Sequence, residues 1–290
     1  KGSEIGLAVK FIDSDESKSL TKGTNLPNGS IINFYLKNYK KERDTIKLTF
    51  SDNKGNLIKS FSNYSDKNKL KLRKGGNQLV WDTRYNGAEI LDGMIFWSTS
   101  FKGPKAVPGD YVVTLQKNNL KESQQFTILP DPRSESSISD MKLQFDFVNE
   151  VNKTVDKAHK TIKSIRSINK KLREFEENYS DKSSENLIAF SIKLRKSFSE
   201  IEKTLYQTKN RSNQDPLNFP IKLTNKLAHL NRLVTMNDFP PTNQDLMVKK
   251  ELSNLIQAEL NKYDNLIEND LKKFNEEFSE LELDYLIIKK

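Results

Sequence analysis

The chain has 290 residues, 48 Lys+Arg against 39 Asp+Glu, a formal net charge of +9 and 35% hydrophobic residues. That is enough for two domains at roughly 150 residues each. It holds no cysteine and only two histidines, His159 and His229. Disulfides, thiolate metal sites and cysteine nucleophiles are therefore excluded, and a His-based metal site or Ser-His-Asp triad has almost no inventory. No run approaches the ~18 consecutive apolar residues of a membrane span, so a soluble chain with no cofactor and no catalytic residues is expected.

Lys1-Gly2-Ser3-Glu4 offers neither an apolar signal region nor an initiator Met, and a processed or truncated product is expected. Ile5, Leu7, Val9 and Phe11 alternate, then residues 13–19 are polar, so 1–24 reads as a strand with a polar linker. From 25 to 132 the period of two recurs. Ile46, Leu48 and Phe50 precede the turn Asp52-Asn53-Lys54-Gly55, a second run follows from Leu57 to Phe61, and Tyr111, Val113 and Leu115 lead through Lys117-Asn118-Asn119 to Phe126 and Ile128. Short alternating runs with Gly/Asn/Asp punctuation predict an antiparallel β-sandwich of immunoglobulin or fibronectin III type.

Leu129-Pro130-Asp131-Pro132-Arg133 marks the boundary, since two prolines so spaced fit neither a helix interior nor a central strand. They also make a stiff join, which Phe101, Val107, Ile138, Met141 and Phe145 are expected to fill. Beyond it, 133–290 is periodic near 3.5. Phe145, Val148, Val151, Val155, Ala158, Ile162, Ile165, Leu172 and Phe175 form one stripe, and Leu187, Phe190, Leu194, Phe198, Ile201 and Leu205 a second, after a break at 180–184. Pro220 is expected in the first turn of a short helix carrying Leu223, Leu227, Leu230 and Val234. Pro240-Pro241-Thr242 stops it and caps a long last one. Helices at about 139–177, 184–209, 220–236 and 242–280 predict an antiparallel helical bundle.

Charge concentrates before the boundary: residues 1–132 carry net +7 and 133–290 net +2. Lys67, Lys69, Lys71 and Arg73 alternate with Leu70 and Leu72, which puts the cations on one strand face. Such a stripe either holds a polyanion or guards a solvated edge. No aromatic residue interleaves the lysines as single-strand binding requires, which disfavours nucleic acid and admits a glycan. Asp82, Asp92 and Asp110 flank turns near aromatic residues, where a carboxylate pair could serve a glycosidase, yet Asp in such contexts closes turns through its own side chain. Both histidines read as surface or packing residues. Trp81 and Trp97 are candidate interaction residues. So is the polar corner 210–220, through Asn210, Arg211, Gln214, Asp215 and Asn218.

Certain segments resemble a known family. Gly23-Thr24-Asn25-Leu26-Pro27-Asn28-Gly29-Ser30 with Ile32, Phe34, Tyr35 and Leu36 is similar to the stretch following the β-propeller in large exported proteins common in Bacteroidota. These are the sortilin/VPS10-like, BNR-repeat "glycosyl hydrolase" proteins. Gly76 to Tyr85, Gly103 to Tyr111 and the gapless Leu205 to Leu223 match further; Trp81-Asp82 and Pro108-Gly109-Asp110-Tyr111 also occur in hook-cap-like Ig domains. The resemblance implies an Ig/fibronectin-type domain and a helical domain on an extracytoplasmic, outer-membrane-associated protein. It implies too that the propeller is absent here, so that no catalytic residue carries over. A non-catalytic accessory region docking on its own propeller or on other envelope proteins is expected. The alternatives are part of a propeller-type glycoside hydrolase and a polyanion-binding module.

Overall fold

A computed structural model describes residues 5–12, 27–178 and 185–280. The polar run at 13–19 and the helix break at 180–184 lie outside the described residues. The chain divides into two compact units, Lys1–Asn86 with Lys102–Phe145, and Gly87–Phe101 with Asp146–Lys290.

The first unit holds seven strands: β1 (Ile5–Ile12), β2 (Gly29–Leu36), β3 (Ile46–Asp52), β4 (Leu57–Ser62), β5 (Gly75–Trp81), β6 (Gly109–Lys117) and β7 (Leu120–Ile128). They form two sheets, ordered β1-β2-β5 and β4-β3-β6-β7, with every pairing antiparallel. Alternation explains the register: Ile46, Leu48 and Phe50 of β3 and Val113 and Leu115 of β6 are fully buried, and they meet Ile32 and Leu36 of β2 in one core shared by both sheets. Trp81 sits at its centre, stacked on Phe50 at 4.3 Å, with its indole N–H donated to the Arg84 carbonyl at 3.0 Å. Burial also pushes the Tyr111 phenol up to about 12, while its hydroxyl donates to the Val107 carbonyl at 2.6 Å. At the turn after β3, the Asp52 carboxylate accepts from the backbone of Lys54 and Asn56 and is held below the usual carboxylate range by Asn56.

Two chain legs leave and re-enter this unit between β5 and β6. They are paired by Tyr85 N–H on the Pro104 carbonyl at 3.0 Å and by an antiparallel bridge between Arg84 and Lys105. The approach is close. A Cβ on Gly103 would lie 2.1 Å from the Tyr85 carbonyl oxygen and 2.7 Å from that of Asn86.

The second unit is helical: α1 (Ile138–Asn178, its first turns counted in the first unit), α2 (Glu185–Leu205), α3 (Leu223–Val234), and α4 (Asn243–Asn265). α4 continues through a π-helical turn, Leu266–Leu271, into α5 (Lys272–Ser279), giving four α-helical rods among the described residues, with a 3-10 turn at Asp215–Leu217 between α2 and α3. Ser137 and Asp140 bond reciprocally at the start of α1, and Thr242 and Asp245 form a capping box on α4, which satisfies backbone donors that a helix start leaves open. Val155, Ile162, Ile165 and Leu172 of α1 are fully buried with Phe198 of α2, Ile256 of α4 and Phe274 of α5. Arg195 makes a two-point ion pair with Glu176, which also accepts from Ser191.

Several local expectations change. Pro220 precedes α3, whose first residue is Leu223 after the N-cap Lys222. Phe145 packs edge-on against Tyr85 at 4.8 Å within the first unit. Phe101 belongs to the second, 4.7 Å from Phe96 and 5.8 Å from the His159 ring. No described helix is long and apolar enough to cross a membrane.

Candidate functional site

The segment Gly87–Phe101 belongs to the helical unit although it lies in sequence between two strands. Its apolar side chains Ala88, Leu91, Met94, Phe96 and Phe101 pack on the helical core. Burying them takes the main chain out of water as well, and buried N–H and C=O groups need partners. Most helix backbone groups are already bonded within their own helix, so side chains supply most of the bonds.

Those bonds run in order along the segment. Glu89 N–H donates to Asp156 at 2.6 Å, and the Glu89 carbonyl pairs with His159 Nδ1. Ile95 N–H donates to the Tyr206 hydroxyl at 2.9 Å, and its carbonyl accepts from Asn210 Nδ2 at 3.3 Å. Asn225 accepts from Trp97 N–H at 2.8 Å and donates to the Trp97 carbonyl at 3.0 Å. The Ser98 carbonyl pairs with His229 Nδ1 at 2.6 Å, and Arg232 bonds the Ser98 hydroxyl. Ser100 N–H donates to the Ala228 carbonyl at 3.0 Å, and Asn231 donates to the Ser100 carbonyl at 3.1 Å. Asn225, His229 and Arg232 recur at helical spacing, so one face of α3 holds the adjacent residues Trp97 and Ser98.

This explains two asparagines inside a helix. Asn225 and Asn231 are buried and would be costly there without partners. It also shows what the ladder presents. Trp97 keeps 40% of its surface exposed while both of its main-chain polar groups are held. The next residue, Ser98, has a φ of +53°, a conformation that persists in a non-glycine residue only where its surroundings over-determine it.

The other sequence candidates take different places. Trp81 is fully buried at the centre of the first unit's core and offers no surface for interaction; nothing in the local alternation distinguishes it from an outward aromatic. Asn210 is buried too, and it serves the ladder. Arg211, Gln214, Asp215 and Asn218 form a self-satisfied corner. Asp215 accepts from the backbone of Arg211 and Ser212 and from the Ser212 hydroxyl, and those bonds hold its carboxyl below the usual range. Arg211 is turned back onto the carbonyls of Thr208 and Asn210. The side chains of Gln214 and Asn218 are exposed.

Lys67, Lys69, Lys71 and Arg73 do not stand on a ladder strand. Their segment is an extended connection, pinned by a single parallel bridge between Ser62 and Lys69, with Asn68 at a φ of +57°. The alternation survives: Leu70 is buried and the four cations are exposed. Asp82 is bonded by Lys59 at 3.1 Å and Asp110 by Thr127 at 2.6 Å. Among the described residues no three His, Asp or Glu side chains converge as a metal set. The residues that sequence reasoning missed are Tyr206, Asn225, His229, Asn231 and Arg232; polar side chains interrupting the apolar stripe of α3 were the available signal. Compared with protein-family models, with curated proteins and with solved structures, the chain finds no match in any of the three.

Proposed function

We propose that the chain is a non-catalytic docking region of an exported cell-envelope protein: an immunoglobulin- or fibronectin III-like sandwich followed by a helical bundle. Its partners are proteins, either a propeller of the sortilin/VPS10-like, BNR-repeat type that it resembles or other envelope proteins. Two antiparallel sheets sharing one core support the sandwich reading. The observation that carries the docking reading is Trp97, half-exposed on a main chain held at both polar groups. Tryptophan is enriched among residues that dominate protein interfaces, and an anchor already fixed in place loses little freedom on association.

A photo-crosslinking amino acid at position 97, introduced in the source cells, tests this, with position 121 on β7 as the exposed control. A discrete polypeptide adduct at 97 and none at 121 is the expected result. Equal labelling at both positions would overturn the reading. So would glycan hydrolysis by the purified chain that is lost in Asp82→Ala or Asp110→Ala.

A further inference from the structure

A groove of about 840 Å3 runs along the first unit, lined by Lys41, Lys69, Lys71 and Arg73 together with Tyr39 and Gln78. Leu70 and Leu72 turn into the core beneath it, so the alternation of the connecting segment sets Lys69, Lys71 and Arg73 outward on one side. Asn77, itself buried, braces that wall: it accepts from Arg73 N–H at 2.9 Å and donates to the carbonyls of Arg73 and Gly75. Arg73 donates its Nε–H to the Gly76 carbonyl at 2.9 Å, which fixes the guanidinium and directs the rest of its fork elsewhere.

Among the described residues no carboxylate neutralises the four cations. Among the described residues, no ion pair joins a carboxylate to Lys41, Lys69, Lys71 or Arg73, and Glu42 is the one acidic residue on the groove lining. Elsewhere in the same unit Lys59 is paired with Asp82 and Lys117 with Asp44. Converging unpaired cations repel one another and raise the local concentration of anions. Beyond Arg73 the groove meets a second hollow of about 610 Å3 that shares Arg73, Asn77 and Gln78. There Gln78 donates to Asn33 at 3.0 Å and Tyr35 is 49% exposed.

We infer that this groove binds an acidic polysaccharide, a sugar chain bearing carboxylates, with Lys41, Lys69, Lys71 and Arg73 holding its charges. Tyr39 and Tyr35 provide ring faces, and the carboxamides of Asn33 and Gln78 suit hydroxyl groups, which both donate and accept. Nucleic acid is less well served, because stacking of successive bases needs a run of aromatic planes among the cations, and Tyr39 is the one aromatic residue lining the cationic groove. The site is independent of Trp97 and stands or falls separately from the docking reading.

Polygalacturonate oligosaccharides are the probe, titrated into the full chain at several salt concentrations, with dextran as the neutral arm and oligo(dT) as the nucleic-acid arm. Polygalacturonate should bind while dextran does not. The variant Lys69→Gln/Lys71→Gln/Arg73→Gln should bind at least about tenfold more weakly, with a salt slope reduced by about one for each cation removed. Tyr39→Ala should weaken binding and leave that slope unchanged, and Lys54→Gln/Lys121→Gln, outside the groove, should change nothing. Tryptophan emission verifies that each variant is folded, and Lys41→Gln alone gives a milder arm. Absence of polygalacturonate binding would overturn the inference. So would a triple variant no weaker than the control pair, or oligo(dT) binding more tightly through the same residues.

Discussion

The carboxamide of Asn225 closes on both main-chain polar groups of Trp97, at 2.8 and 3.0 Å, across 128 residues of sequence. A neighbouring strand would make the same pair of bonds; here a single side chain on α3 replaces it. Asn225→Ala would leave a donor and an acceptor without partners, at a cost of about 2–3 kcal/mol. Urea unfolding should register that loss, with Trp97 emission shifted to the red. Asn225→Asp keeps the acceptor but sets a carboxylate oxygen against the Trp97 carbonyl, so it should recover little or none of the difference.

His159 should make the helical unit sensitive to mild acid. It is buried among Phe96 and Phe101, its Nδ1 faces the Glu89 carbonyl, and its Nε2 has no partner. Burial, the largest influence, moves its pKa below 6.5, assisted by Arg166 and opposed by the Glu89 hydrogen bond and the charges of Asp156 and Glu89. The unfolded chain therefore takes up this proton first. The stability that neutral His159 contributes is complete above about pH 6.5 and declines as pH falls below that value, levelling off below the folded pKa. Urea midpoints at pH 7.5 and 5.5 should differ more for the wild type than for His159→Asn, which keeps a donor at the Nδ1 position and cannot titrate.

In the first unit, Trp81→Ala should cost about 3–5 kcal/mol, the range for deleting a large buried aromatic side chain. Trp81→Phe keeps the stack on Phe50 and deprives the Arg84 carbonyl of its indole donor, so its cost should be nearer 1–2 kcal/mol. Calorimetry should show the main loss in the transition of this unit. Equal costs for the two variants would mean that packing on Phe50 contributes little.

Gly103→Ala tests the paired legs. With backbone oxygens 2.1 and 2.7 Å from the new methyl group, the legs must separate, at roughly the 1–3 kcal/mol of overpacking. Gly76→Ala, where a Cβ meets nothing within 4 Å, is the matched control and should cost far less. Thermal unfolding of the pair measures the difference.

Much of this architecture was legible because it is periodic. Ile46, Leu48 and Phe50 announce a strand half buried in a core, and Val155, Ile162 and Leu172 announce a helix face, since in both cases burial follows from local spacing. The burial of Trp81 escapes this reading because alternation says which residues share a face, not which aromatic is covered by the opposite sheet. The basic segment keeps its alternation without a partner strand along its length, since Leu70, Leu72 and the bridge to Ser62 anchor it. The ladder on Gly87–Phe101 was hidden for a different reason. Its bonds pair main-chain atoms with side chains 67 to 131 residues away, and a main-chain donor leaves no mark in the sequence. The oddity on view was the partner: Asn225 and Asn231 within an otherwise apolar stripe, each needing a bond that no neighbour could supply.

The interrupted order of the second unit has a consequence for synthesis. Gly87–Phe101 leaves the ribosome long before the helix that holds it. Trp97 precedes Asn225 by 128 residues, which at 5–20 residues per second is a delay of about 6–26 s. Until α1 and α2 follow, the apolar side chains of Leu91, Met94 and Phe96 have no helical surface to cover them, and until α3 follows Trp97 and Ser98 lack the side chains that hold them. A nascent chain stalled before α3 should thus be cut by protease near these residues, and one released after Val234 should resist. Expression of 133–290 alone would carry the same defect permanently, because the segment that completes its interior, Gly87–Phe101, was encoded upstream.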